Sequence, residues 1–120
     1  FGLIGHLNNM MEASGAEARL VVSDIPVITG ARELIAQGVA PGGTHRNLKD
    51  AGSQVRWHQD VSENARLLLC DAQTSGGLLI SVPEKRTDAL LKELEAAGVE
   101  GARVIGELLT GGQKGIQVVP

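Results

Sequence analysis

Sixteen of the 120 residues are glycine, and six of them stand in three adjacent pairs, Gly42-Gly43, Gly76-Gly77 and Gly111-Gly112. That is about twice the usual glycine share of ~7%, yet 42% of the residues remain hydrophobic. With one Phe, one Trp and no Tyr, the core has to be aliphatic and the loops rich in exposed backbone. A chain of this length suits a single domain with one core, burying about 65% of its unfolded surface.

The same composition excludes several classes of function. Single-stranded nucleic-acid modules stack bases on aromatic platforms, and two aromatic residues cannot build one. Eleven Lys and Arg against 14 Asp and Glu leave a net charge of −3, the opposite of a basic nucleic-acid footprint. Cys70 is the only cysteine, so the chain has no internal disulfide framework and no cysteine-based metal cluster, and it fits a reducing cytoplasm. No run approaches the roughly eighteen apolar residues that span a bilayer, and no signal-peptide pattern opens the chain.

Hydrophobic periodicity predicts the elements. Leu3, Ile4, Leu7, Met10 and Met11 share one helix face that stops at Ser14-Gly15. Ala18–Ser23 reads as a strand ended by Pro26, and Thr29 as the cap of a short helix from Ala31 to Gln37. Pro41-Gly42-Gly43-Thr44 reads as a turn, with Thr44 a candidate to open another short helical piece, and the stretch from there to Trp57 as mostly loop. Asp60-Val61-Ser62-Glu63 matches a capping box before a helix over Glu63–Cys70. Leu78–Val82, bounded by Gly76-Gly77 and Pro83, has the form of a buried strand. Glu84–Ala97 carries Leu90, Leu91 and Leu94 on one face between Pro83 and Gly98, the expected helix boundaries. Ala102–Leu109 and Ile116–Val119 read as strands of a hairpin around Gly111-Gly112. The alternation predicts an α/β sandwich with a mixed sheet. Within it, the right-handed crossover rule predicts a parallel unit of the Leu78 strand, the Glu84 helix and the Ala102 strand.

Two segments have the residue types for binding chemistry. Gly42, Gly43 and Thr44 can bring backbone N–H groups and a hydroxyl to an anion, and Arg46, Lys49 and Arg56 follow, offset only by Asp50. The same residues also read as a glycine turn before a solvated loop. Asp71-Ala72-Gln73-Thr74-Ser75-Gly76-Gly77 offers a carboxylate, an amide, two hydroxyls and two glycines, suited to an oxyanion or to self-bonded turns. Ser75 lacks a nucleophile elbow. Cys70, after Leu67-Leu68-Leu69, reads as a buried small hydrophobe rather than a thiolate. His6, His45 and His58 are not at metal-ligand spacing. Trp57, Met10 and Met11 read as packing residues.

Taken together, Phe1-Gly2-Leu3-Ile4-Gly5-His6-Leu7, Ile25-Pro26, Pro41-Gly42-Gly43-Thr44-His45-Arg46-Asn47, Leu68-Leu69-Cys70-Asp71-Ala72-Gln73-Thr74-Ser75-Gly76-Gly77-Leu78-Leu79 and Ile105-Gly106-Glu107 resemble selenophosphate synthetase, the selenide, water dikinase family. The order and the gaps agree over essentially the whole chain, and Gln73–Leu79 is the most specific element. The resemblance implies that residues 1–120 are a single C-terminal domain, without the N-terminal catalytic domain. It further implies a three-layer α/β/α arrangement with a mixed sheet, partly ferredoxin-like, of the kind shared with aminoimidazole ribonucleotide synthetase. The implied reaction converts ATP, selenide and water to selenophosphate, AMP and phosphate with Mg²⁺, in the cytoplasm, for selenocysteine and selenium-modified tRNA.

Most of the family's catalytic and metal-binding residues lie outside the matched region, and Cys70 does not fall at the reactive position. No catalytic residue and no metal ligand is therefore expected here, and Ala72 stands where the family usually has Pro. The candidates facing the cleft, on the phosphate side, are Gly42, Gly43, Thr44, Asn47, Thr74, Ser75, Gly76 and Gly77. The expected partners are the chain's own N-terminal domain, with ATP and selenide in a parent that is typically a homodimer, and neither nucleic acid nor membrane. The isolated 120 residues are expected to turn over nothing. The alternatives are a non-catalytic α/β module that binds an anion or a protein, and a related ATP-dependent enzyme of the same superfamily.

Overall fold

A computed structural model describes residues 1–120. The elements run α1 (Gly2–Ser14), β1 (Glu17–Val21), α2 (Ala31–Ala36), α3 (Gly42–Ala51), β2 (Val55–Trp57), α4 (Glu63–Leu69), α5 (Thr87–Ala96), β3 (Gly106–Leu109) and β4 (Gly115–Val119). The four strands form one sheet in the order β2-β4-β1-β3, with β4 parallel to both β1 and β2 and β3 antiparallel to β1. The mixed α/β sheet is the expected class. No helix is long and apolar enough to cross a membrane.

The core follows from the two periodicities. Ile4, Leu7 and Met11 of α1 recur at helical spacing and are buried, and Gly15, in the left-handed region at φ 66°, ends the helix by donating its N–H to the Met11 carbonyl. Alternation along the strands sends Ala18 and Leu20 of β1, Val55 of β2, and Ile116 and Val118 of β4 to that same side. Val61, Leu69 and Cys70 close the cluster from the α4 side, and Leu48 and Ala51 of α3 pack against it. Gly106 lies where β3 crosses β1 so tightly that a Cβ would sit 2.1 Å from the Arg19 carbonyl oxygen. Only glycine fits there.

The opposite face of the sheet mixes the polar Glu17, Arg19, Arg56, Glu107 and Gln117 with Val21, Leu109 and Val119. Glu17 is almost wholly buried, and its carboxylate accepts from the Arg56 guanidinium, which also donates to the Lys114 carbonyl at 3.4 Å. This pair ties β1 to β2 across β4. Arg19 and Glu107, 3.3 Å apart but exposed, contribute little by comparison.

Several expectations give way to tertiary structure. The stretch after Gly43 is a helix, α3, because Thr44, Leu48 and Ala51 form an inward stripe in which Thr44 is polar and so hides the period. Val55–Trp57 is a strand too short to show alternation. Ser62, not Asp60, caps α4, accepting from the Ala65 N–H at 3.2 Å, while Asp60 faces His58. β3 and β4 are not a hairpin: β1 lies between them, because the wholly buried Ile116 and Val118 take the central position. Leu78–Val82 joins no ladder and Leu78 is 91% exposed, so the parallel unit with α5 is not closed in this structure.

Removing the partner of the buried Glu17 carboxylate should cost more than removing the pair. Arg56→Met is expected to lower stability by about 1–3 kcal/mol, and adding Glu17→Gln should recover most of that loss. Urea unfolding of the two single variants and the double variant measures the coupling.

Candidate functional site

Three chain segments meet at one end of the domain. Gly2, at the start of α1 with φ 67°, lies so close to the end of α4 that a Cβ would stand 2.6 Å from the Cys70 carbonyl carbon. α3 comes in from the other side. Thr44, three residues after its Pro41 cap, has no exposed surface, and its hydroxyl donates to Asp71 Oδ1 at 2.6 Å. One turn later the Asn47 side-chain amide donates to the Cys70 carbonyl at 3.0 Å. Residues three apart on a helix share a face, so α3 grips the Cys70-Asp71 corner at two points.

This latch joins the two glycine-containing motifs, which stand 27 residues apart at Thr44 and Asp71. Thr44 and Asn47 point inward as struts. Gly42 and Gly43 form the first turn of α3, with no side-chain cap, and the Arg46 guanidinium lies 3.6 and 3.8 Å from where their Cβ atoms would be. A positive side chain thus runs along a helix N-terminus that already favours anions. Beyond the latch, Thr74, Ser75, Gly76 and Gly77 are all exposed, and Gln73 folds its amide oxygen back towards Gly76. The structure therefore brings Thr44 and Asn47 against the base of the second motif and leaves Thr74–Gly77 projecting from it. Asp71 and the Cys70 carbonyl are the partners that residue spacing could not pick out, because their role exists only once α3 is in place.

Cys70 is wholly enclosed. Burial pushes its thiol up from 9.0 to about 11, which suits a packing residue and not a nucleophile. His45 and His58 are exposed, His6 lies edge-on to Phe1 with ring centroids 6.0 Å apart, and Trp57 is half-buried beneath the Arg66 guanidinium, 5.5 Å from the ring centroid. No three His, Cys, Asp or Glu residues cluster closely enough to hold a metal ion. Asp71, the carboxylate of the latch, is already engaged by Thr44. The magnesium ion that the resemblance implies is not matched by a ligand set within these residues.

Two measurements check this geometry. Thr44→Val keeps the volume and removes the donor, and should cost about 1–3 kcal/mol in urea unfolding, whereas Thr44→Ser should retain most of the stability. For Cys70, the folded state holds the proton more tightly than the unfolded state, so its contribution is full below pH 9.0 and is lost as pH rises towards about 11. The stability difference between the parent protein and Cys70→Ala should narrow across that window, and the thiol should resist alkylation until the chain unfolds.

Residues 1–119 match the family described as AIR synthase related protein, C-terminal domain. The chain is 46% identical over 119 residues to the selenide, water dikinase of Myxococcus xanthus, covering 99% of this chain and 33% of that protein. It is 43% identical over 109 residues to that of Salmonella typhi, covering 91% and 30%. It is 38% identical over 119 residues to selenide, water dikinase 2 of Peptoclostridium acidaminophilum, covering 99% and 34%. The chain spans about a third of the length of these relatives. With its mixed α/β sheet and a match running from residue 1 to residue 119, the chain belongs to the AIR synthase related family as a C-terminal domain, similar to that of the selenide, water dikinases.

Proposed function

We propose that these 120 residues serve as the C-terminal domain of an ATP-dependent selenophosphate synthetase, which converts ATP, selenide and water to selenophosphate, AMP and phosphate. The observation that carries the reading is the latch: Thr44 and Asn47 fix the base of the Asp71–Gly77 loop, and Thr74 and Ser75 are left exposed beyond it. A loop held at its root and polar at its tip suits a wall of a cleft completed by another domain. The uncapped start of α3, with Arg46 alongside, adds a second phosphate-favouring element.

In this reading the domain positions and the rest of the protein performs the chemistry. Phosphoryl transfer needs charge neutralisation on the phosphates and an in-line approach of the nucleophile. Mg²⁺, which these residues have no ligand set to hold, would supply such neutralisation only from ligands elsewhere in a full-length protein. Gly42, Gly43, Thr74, Ser75, Gly76 and Gly77 contribute hydrogen-bond donors to phosphate oxygens or brace the segment that covers them, and Thr44 and Asn47 hold those donors in place. The partner is the remainder of a polypeptide about three times as long, with ATP and selenide bound between the parts, in a cytoplasmic homodimer. The 120 residues alone turn over nothing.

Replacing Thr74 and Ser75 by Ala in the full-length enzyme tests the reading. ATP-dependent selenophosphate formation should fall by about tenfold or more, as expected when donors aimed at developing charge are lost, with the unfolding midpoint unchanged. Turnover equal to that of the parent enzyme would remove these hydroxyls from the site.

A further inference from the structure

One concave part of the surface takes no part in the latch. Arg56, Trp57, His58, Gln59 and Gln117 line a cleft of about 340 Å³ where the chain leaves β2, at the lower end of the ~300–1,000 Å³ usual for small-molecule sites. Arg56 and Gln117 are register partners on neighbouring strands, on the face of the sheet away from α1. All five side chains can donate a hydrogen bond, Arg56 and Trp57 can only donate, and none is a carboxylate.

Most of these donors are unspent. A guanidinium carries five N–H groups, of which Arg56 gives one to Glu17 and one to the Lys114 carbonyl. The two bonds fix its orientation and leave the other N–H groups available, with 37% of the side chain exposed. The third glycine pair serves the same end. A Cβ at Gly112 would collide with the Glu17 carboxylate, so only glycine lets the turn close over the group that orients Arg56. The Asp60 N–H donates to His58 Nδ1 at 3.3 Å, so the neutral imidazole carries its proton on Nε2, as a donor. The Gln59 and Gln117 amides and the Trp57 indole N–H take part in none of the side-chain hydrogen bonds of the chain.

The nearby carboxylates are engaged elsewhere. Glu17 is buried against Arg56, and Asp60, 67% exposed and so screened by solvent, stands on the Nδ1 side of His58 at 3.5 Å. Against Trp57 lies the Arg66 guanidinium, anchored through Nε to the Val61 carbonyl at 3.1 Å and paired with no carboxylate. A second positive charge thus backs the one apolar wall of the cleft.

We propose that this cleft binds a small organic oxyanion. Its carboxylate or phosphate head accepts from Arg56, His58 and Gln117, and a small apolar body lies against Trp57 beside the Gln59 amide. Charge-assisted bonds from an oriented guanidinium are the strong ones, and an indole offers apolar area with a donor at its edge. The cleft shares no residue with the latch, so binding here does not depend on selenophosphate synthesis.

Trp57 is the only tryptophan of the chain. Its indole N–H resonance, assigned in heteronuclear spectra of the full-length polypeptide by its loss in Trp57→Phe, reports on the cleft directly. Phenyl phosphate and benzoate are the probes. At least one should move that resonance saturably below about 10 mM, and whichever does so identifies the head group. Phenol, which keeps the body without the charge, should bind at least about tenfold more weakly. Gln117→Ala should weaken the better probe by about two- to tenfold, the loss of one hydrogen bond, with the melting temperature unchanged. No saturable shift with either probe overturns the proposal. So does phenol binding as tightly as they do, or an affinity that Gln117→Ala and Gln59→Ala both leave unchanged. Should Gln117→Ala lower the melting temperature, Gln59→Ala, at an exposed position, decides alone.

Discussion

Ile116 and Val118 of β4 have no exposed surface, and the rest of the domain is arranged around them. Their strand is paired on both sides, by β1 and β2, and their side chains lie under α1. In a chain with two aromatic residues, the space between helix and sheet has to be filled by small branched side chains packed at crystal-like density. That requirement brings α1 close to the sheet, forces Gly2 against the Cys70 backbone, and leaves no room for a side chain at Gly106. The glycine excess is thus partly the counterpart of the missing aromatics, since close backbone approaches replace large rings.

The polar interactions specify what the aliphatic core cannot. Aliphatic packing tolerates rearrangement, but a buried carboxylate or hydroxyl tolerates only its own partner. Glu17 with Arg56 fixes β1 and β2 on either side of β4, and Thr44 with Asp71 fixes α3 at the end of α4. Both pairs join residues far apart in sequence. The second also sets the root of the Asp71–Gly77 loop, so the same hydrogen bond serves packing and the candidate site.

Legibility in the sequence divided along these lines. α1 was readable because Ile4, Leu7 and Met11 repeat at helical spacing and Gly15 ends the run, and β1 and β4 were readable from compact apolar stretches. α3 was not, because its most deeply buried inward residue is Thr44, whose burial depends on Asp71 on another element. The false hairpin has the same origin: local turn chemistry at Gly111-Gly112 cannot reveal that β1 will sit between β3 and β4. For the candidate site, the sequence exposed the residue types and, through resemblance, their family. It did not expose the latch, since a hydrogen bond spanning 27 residues leaves no trace in spacing.

Leu78–Val82 differs from these cases because its local signals are consistent with one another. The run is apolar, bounded by Gly76-Gly77 and Pro83, and followed by a helix with a matching apolar stripe, yet the run joins no ladder, Leu78 and Ile80 are exposed, and Leu90, Leu91 and Leu94 are only half-buried. Local and global preferences in natural sequences ordinarily agree, and where they part the disagreement tends to mark a function. Here it falls next to Thr74 and Ser75, the exposed polar tip of the motif loop. The latch holds the loop at its root, while the run that follows Thr74 and Ser75 adds no ladder hydrogen bond to fix its far side.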